Sequence, residues 1–410
     1  MSVNISTSVA SAMKVYDKNI HSQIFNKNVL WNNLISNVAR TTGTIENGKV
    51  LTLHYKRNVG SAAGSDTLTL PTAGAQGRIQ AGIDIKKNYH TVSISDAVIQ
   101  ASKKGEEFLL DMLDGEYKGA REDMQRQLSR QGYGYGMGVI AQVDGAVSSS
   151  TTVVVDNLVL GTSIADYLDE DNAIAFTTNN SGVAGTTEYA IVDSITDANT
   201  FETKSAITTA DDTYLVLAHS KGLTTDPDTT NYGMEVMGLK GLIDDGSTIA
   251  GSFEGIDQSS YLWWNSNVND NSGVLRNVTD VLLQTSYTAV DKIGNPKFAL
   301  TSPTVFNTYG QTLSADRRYT DTMELKGGFT GVKFNNIGIV KDYDCADNDL
   351  YFIDPKTISV EDLGPIAFLN ADGKVLDRDG TSPVFGATLT YYSNLAIKAR
   401  NKNGLLTDIK

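Results

Sequence analysis

The sequence predicts an α+β chain of several lobes, with a small β-barrel inserted between a long helix and a mixed body. Three observations predict it. The apolar spacing switches from a period of two to steps of three and four near residue 96. An island of short strand-like runs over residues 143–222 contains no proline. From residue 223 helical and strand-like segments alternate towards the C-terminus. At 410 residues the chain is long for one core, so two or three lobes are expected.

Composition narrows the function classes. Hydrophobic content of 40% and charged content of 20% are ordinary for a globular chain. The balance of 34 Lys and Arg against 48 Asp and Glu gives a net charge of −14. A protein that reads nucleic-acid sequence needs a basic face, so the charge argues against that class. The single cysteine, Cys345, excludes an internal disulfide and a cysteine-based zinc cage. No apolar run approaches the ~20 residues of a membrane span, and "MSVNISTSVASAMKVYDKN" lacks the basic and apolar regions of a signal peptide.

Residues 1–42 read as an arm. Ile20, Ile24 and Phe25 precede a denser patch at Val29, Leu30, Trp31, Leu34 and Ile35. Its Asn- and Ser-rich polar half is a poor helix former, so the arm is expected to gain order by lying on its own body or a neighbour. Residues 43–95 alternate. "KVLTLHYK" and "DIKKNYHTVSIS" read as two paired strands, holding between them a long segment, "NVGSAAGSDTLTLPTAGAQGRIQAG". A tip of that length is uncommon in a compact domain and usually functional.

Residues 96–142 then carry the stripe Leu109, Leu113, Tyr117, Ala120, Met124, Leu128 at helical spacing. About 30 helical residues would span ~45 Å. The run "RQGYGYGMGVIAQV" follows, with Gly132, Gly134, Gly136 and Gly138 at alternate positions. A phosphate-binding loop follows a strand and opens a helix. Here the glycines follow a helix and lead into a strand, so they read as a hinge.

The island at 143–222 contains five strand-like runs, "TTVVVD", "NAIAFTT", "TEYAIVDSI", "TFETK" and "DTYLVLAHS", which suggests a small barrel. Residues 223–375 hold a helix in "VLRNVTDVLLQTSYTAVDKI", with Val274, Val278, Val281, Leu282 and Ala289 near one face. A buried strand, "PKFALTSP", and a helix from "PTVFNTYGQTL" come next. Residues 376–410 supply the last strands, a pair around "GATLTYYSNLAIKARN".

No catalytic, cofactor-binding or metal-binding constellation emerges. His21, His54, His90 and His219 stand apart from one another, outside any metal-ligand spacing. "YLDEDN", "DYDCADND" and "DRDGTS" are acidic enough for Ca²⁺ but do not follow the EF-hand pattern, and read as turns. Cys345 has no neighbouring histidine and no G-x-S-x-G occurs. The carboxylate pairs Glu106/Glu107 and Asp244/Asp245 read as solvated faces.

The order of parts resembles that of the major capsid proteins of tailed bacteriophages, which have the HK97-like fold. Local wording that is similar to the family includes "TLPTAGAQ", "TVSISDAVIQAS", "GLKGLIDDG" with "FEGIDQSSYLWWNSNV", and "GGFTGVKFNNIGIV" followed by "DLYFIDPKTISV". The resemblance implies an N-terminal arm (1–42), an extended E-loop (43–95), and a spine helix with the start of the peripheral domain (96–142). It further implies an inserted barrel (143–222), axial and peripheral segments (223–375) and C-terminal strands (376–410).

The implied function is structural: no enzyme and no cofactor, but hexamers and pentamers closing an icosahedral shell. The shell would enclose double-stranded DNA without reading its sequence, in a virion assembled in the host cytoplasm. Leu68, Leu70, Pro71 and Arg78 would be subunit contacts at the loop tip. The tip has no lysine, and Lys56, Lys86 and Lys87 lie at its base, so covalent cross-linking there is not expected. The short arm implies a separate scaffolding protein; a portal and a decoration protein are further implied partners, and no membrane is. An encapsulin-type compartment shell, and a β-rich phage adhesin or tail component, are the rival classes. An oxidoreductase using the glycine run is more distant.

Overall fold

The computed structural model describes residues 29–34, 38–40, 48–61, 63, 66, 72, 74–95, 106–178, 186–218, 233–313, 322–324, 330–369, 377–378 and 384–410. Leu68, Leu70 and Pro71 lie outside the described residues, as do the side chains of Leu109 and Leu113.

In chain order the first elements are α1 (Val29–Leu34), β1 (Val38–Arg40), β2 (Lys49–Lys56), β3 (Gly77–Ile83), β4 (Lys86–Ser95) and the long helix α2 (Glu106–Tyr133). Six strands follow: β5 (Val139–Val143), β6 (Val147–Asp156), β7 (Ala173–Thr177), β8 (Thr186–Ile195), β9 (Thr200–Thr209) and β10 (Tyr214–Leu217). The body continues with α3 (Leu239–Leu242), β11 (Ser252–Phe253), β12 (Ile256–Asp257), β13 (Asn267–Asn269), α4 (Asp280–Asp291), β14 (Phe298–Thr301) and α5 (Pro303–Thr312). It ends with β15 (Thr322–Glu324), β16 (Thr330–Phe334), β17 (Ile337–Lys341), β18 (Leu350–Ile353), β19 (Ile358–Asp362), β20 (Ala367–Phe368), β21 (Asp377–Arg378), β22 (Val384–Ile397) and β23 (Gly404–Leu406).

The strand partners differ from the sequence expectation. β2 pairs antiparallel with β3, from Lys49 opposite Ile83 to Lys56 opposite Gly77. β3 comes from the "GRIQAGI" end of the segment read as a tip. The strand "DIKKNYHTVSIS" instead supplies β4, which pairs with β22 from Lys86 opposite Ser393 to Ser95 opposite Val384. Period-two alternation reports a half-buried strand but not its partner, and the glycines in "GRIQAGI" weaken its strand signal. Arg78 therefore sits opposite His54 within the hairpin, exposed on β3 and not at the tip.

The 14-residue β22 organises a six-stranded sheet. β4 lies along β22 from Val384 to Ser393, β20 and β21 also pair with it, and β19 pairs with its last residues. β1 adds to β19 in parallel. A second sheet of seven strands runs β13-β23-β18-β14-β17-β16-β15. Between it and the helices α4 and α5 lies a core containing Leu283, Val290, Val305, Tyr309, Ile339 and Phe352.

Both helices start on side-chain caps. Thr279 accepts from Leu282 N, and Ser302 from Val305 N with Pro303 in the first turn. The Thr279 cap starts α4 at Asp280, so Val274 and Val278 lie before the helix and the buried face differs from the expected one: Leu283, Ser286 and Val290 are buried, while Val281 is 77% exposed.

The inserted unit is a closed barrel of six strands in the order β10-β5-β6-β9-β8-β7. The island itself holds only five of them; the sixth, β5 ("VIAQV"), precedes it in sequence. β5 lacks alternation since both its faces are covered: Ile140, Ala141 and Val143 fill the barrel, and Val139 packs outside with Tyr135 and Val216.

Candidate functional site

The β2–β3 hairpin is the element whose position the rest of the body secures. Leu53 and Ala81 turn into the main core, while Val50, Thr52 and His54 face solvent. The carbonyl of Glu254 accepts the N–H of Gly82 at 3.0 Å. Glu254 and Gly255 form the turn between β11 and β12 with φ of 52° and 82°, left-handed values typical of tight hairpin turns. Tyr55 stacks on Trp263 with ring centroids 6.2 Å apart and meets Tyr261 edge-on at 5.6 Å. A Cβ on Gly77 would lie 2.7 Å from the Tyr55 ring, so glycine opposite Lys56 is what lets this aromatic stack form. Lys49 Nζ pairs with the buried carboxylate of Glu361, which also accepts from Ser359 Oγ at 2.8 Å.

Beyond the strands, Asn58 pinches the loop. Its Oδ1 accepts from Gly60 N at 2.8 Å and from Gly74 N at 3.1 Å, tying the two ends of the loop together. Val59, at the pinch, is 74% exposed.

The second component is the helix α2. Tyr117, Ala120, Met124 and Leu128 are buried, and Tyr117 meets Phe368 edge-on at 5.1 Å. Gln131 donates to Asn88 Oδ1 at 2.9 Å, linking the helix to β4. α1 lies on the last turns of α2, where Trp31 Nε1 donates to Leu128 O at 2.9 Å. The four glycines have separate tasks. Gly132 belongs to the helix and receives Leu30 and Trp31. Gly134 donates back to Gln131 O at 3.2 Å, and Gly136 and Gly138, with φ of 79° and 75°, turn the chain into β5.

Buried charges weld the segments. Arg400, with no exposed surface, donates to Leu242 O at 2.9 Å, Gly241 O at 3.2 Å and Gln258 Oε1 at 2.8 Å, with Asp244 at 3.8 Å and the Phe253 ring 4.2 Å beneath it. Arg130 pairs with Glu235. Glu254 Oε2 is buried without a hydrogen-bond partner. Burial raises that carboxyl to about 8, against the pull of Arg400, with Asp84 adding to the rise. Burial likewise lifts Asp342 to about 6, helped by the neighbouring Asp344.

The acidic run at 342–349 is thus partly buried, with Asp342, Cys345 and Asp349 inside and Tyr343 exposed. Asp344 accepts from Ser129 and Tyr167, and Asp349 accepts from Tyr351 at 3.1 Å and Thr407 at 2.6 Å. Burial pushes the Cys345 thiol well up, the state of an inert core cysteine. Among the described residues no three His, Cys, Asp or Glu gather to hold a metal ion, and no helix is long and apolar enough to cross a membrane. Sequence reasoning missed Asn58, Glu254, Trp263 and Arg400. Glu254, Trp263 and Arg400 each act on a partner remote in sequence, Gly82, Tyr55 and the 241–258 segment, while Asn58 bonds Gly60 and Gly74 nearby; only "FEGIDQSSYLWWNSNV" points to the first three.

No family model and no curated protein matches the chain. Solved structures do. A chain of the cyanophage A-1(L) capsid asymmetric unit superposes with a TM-score of 0.54 at 13% identity, covering 92% of this chain and 91% of that one. The capsid of an empty GTA particle gives 0.45 at 7% identity, over 92% and 89%. The capsid of Myoviridae phage XM1 gives 0.43 at 9%, over 92% and 90%. The first of these defines the class: the protein has a phage-capsid-type α/β fold, carrying a six-stranded barrel.

Proposed function

We propose that the protein is the major capsid protein of a tailed phage, a structural subunit of an icosahedral shell around double-stranded DNA. The observation that carries this reading is a fold shared with a cyanophage capsid chain over nine-tenths of both chains. In these terms β2, β3 and the segment between them are the E-loop, and α2 is the spine helix. The six-stranded sheet belongs to the peripheral domain, and the seven-stranded sheet with α4 and α5 to the axial domain.

A hairpin pinned at its base by Glu254 and Glu361, held at its loop end by the Tyr55–Trp263 stack and pinched at Asn58, is suited to lie on an adjacent subunit. Leu68, Leu70 and Pro71 are the contact residues in this reading. A net charge of −14 fits a shell that encloses DNA without gripping it. Self-association into hexamers and pentamers follows, and a separate scaffolding protein assists closure.

The reading is tested by replacing residues 61–73 with a short Gly-Ser turn, which leaves Asn58, Gly60 and Gly74 in place. Sedimentation of wild type and variant, each co-produced with the neighbouring genes, should show shells only for wild type, with the variant folded but unassembled. Variant shells indistinguishable from wild type would overturn the role given to the loop.

A further inference from the structure

The barrel meets the body in two places of different character. At one, both covalent connections converge. The chain enters through Gly136 and Gly138 and returns at Gly233, whose N–H donates to Met137 O at 3.3 Å; all three glycines have left-handed φ, of 79°, 75° and 69°. Glycine crosses between backbone wells without the Cβ penalty, so these positions can absorb a rotation of what lies beyond them.

At the other place, residues 157–167 reach across from β6. Leu160 enters the main core, and Gly161 N donates to Asp344 O at 3.4 Å. The Tyr167 hydroxyl donates to Asp344 Oδ1 at 3.2 Å, and the second carboxylate oxygen accepts from Ser129 of α2. One carboxylate therefore joins helix, barrel and body.

On each side of this contact the surfaces part. A cleft of about 450 Å³ lies between α2 and the barrel, lined by Asp123, Arg126, Asp166 and Tyr167, and is spanned by one exposed hydrogen bond, from Arg126 to Asp166 O at 3.2 Å. Another of about 580 Å³ lies between barrel and body, lined by Asn157, Tyr214, Lys240, Asp347 and Asp408. Polar seams of this kind are characteristic of domains that move relative to one another.

We infer that the barrel is a docked module, latched to the body through Tyr167 and Asp344, that swings as one unit about Gly136, Gly138 and Gly233 when the latch opens. Leu160 holds the docked position as the resting one. Gly161 guards the latch: at φ 58°, a Cβ there would lie 2.4 Å from the Tyr167 hydroxyl, so a side chain would drive the ring off Asp344.

Hydrogen exchange followed by mass spectrometry on the full chain tests this, with Tyr167→Phe as the mild variant and Gly161→Ala as the stronger one. Both should speed exchange at residues 157–167 and at Gly233 by tenfold or more, while β7 and β9 keep wild-type protection. Unchanged exchange at 157–167 in both variants would overturn the latch. Equal acceleration in β7 and β9 would overturn the swing, since the barrel would then be melting.

Discussion

The indole N–H of Trp31 donates to the carbonyl of Leu128 across 2.9 Å, joining residues 97 positions apart and seating α1 on the end of α2. Gly132 makes that seat possible. A Cβ there would lie 3.0 Å from Leu30 Cδ2 and 3.1 Å from Trp31 Nε1. Gly132→Val should lift α1 and cost about 1–3 kcal/mol, the usual range for overpacking. Urea unfolding followed by tryptophan fluorescence checks it, and an unchanged midpoint would contradict the packing role.

Gly238 and Gly119 should respond in opposite directions. A Cβ on Gly238 would lie 2.3 Å from Gln131 O and 2.5 Å from Gly134 O, backbone atoms that cannot step aside. Gly238→Ala should abolish soluble protein or cost roughly 3 kcal/mol or more. Gly119 lies within α2 with nothing within 4 Å. Gly119→Ala should therefore stabilise by about 0.5–1 kcal/mol. Thermal melts of the two variants side by side give the comparison.

Arg400 is fully buried and ties the 241–258 segment to the C-terminus. Arg400→Ala should cost about 3–5 kcal/mol, because Asp244 then loses its buried counter-charge. Arg400→Lys should recover only part of that loss, since one ammonium cannot reach Gly241 O, Leu242 O and Gln258 together. Denaturant midpoints for both variants would show the order; a lysine variant as stable as wild type would count against it.

The raised carboxyls predict a pH dependence with a definite sign. Glu254 moves from 4.5 unfolded to about 8 folded, and Asp342 from 3.8 to about 6, so folding favours their protonated forms. Their contribution is complete below the unfolded values and is lost as pH rises through the folded ones. Between pH 6 and 8 the slope belongs chiefly to Glu254, and Glu254→Gln should flatten it. Urea midpoints at pH 6, 7 and 8 would decide, and an equal slope in the variant would refute the assignment.

The fold was legible in the sequence where periodicity decides. The stripe of Tyr117, Ala120, Met124 and Leu128 marked the buried face of α2, and the proline-free island marked a barrel. Pairing was not legible, because "DIKKNYHTVSIS" alternates identically whether it meets β2 or the distant β22. The sixth barrel strand, "VIAQV", is legible as a strand, but nothing in the sequence assigns it to the barrel, because it precedes the island and directly follows the glycine run. The acidic run at 342–349 read as a solvated turn, since nothing local shows that Ser129, Tyr167 and Thr407 arrive to satisfy it. Arg400 is one of three alternating basic residues, with Lys398 and Lys402, so nothing local singles it out, and its role rests on partners some 140 to 160 positions earlier.

Electron microscopy of the purified chain, produced alone and together with its neighbouring genes, tests the central claim most directly. The account predicts closed icosahedral shells, or sheets of six-fold capsomers, in at least one of the two preparations. Discrete monomers or trimers in both would contradict it.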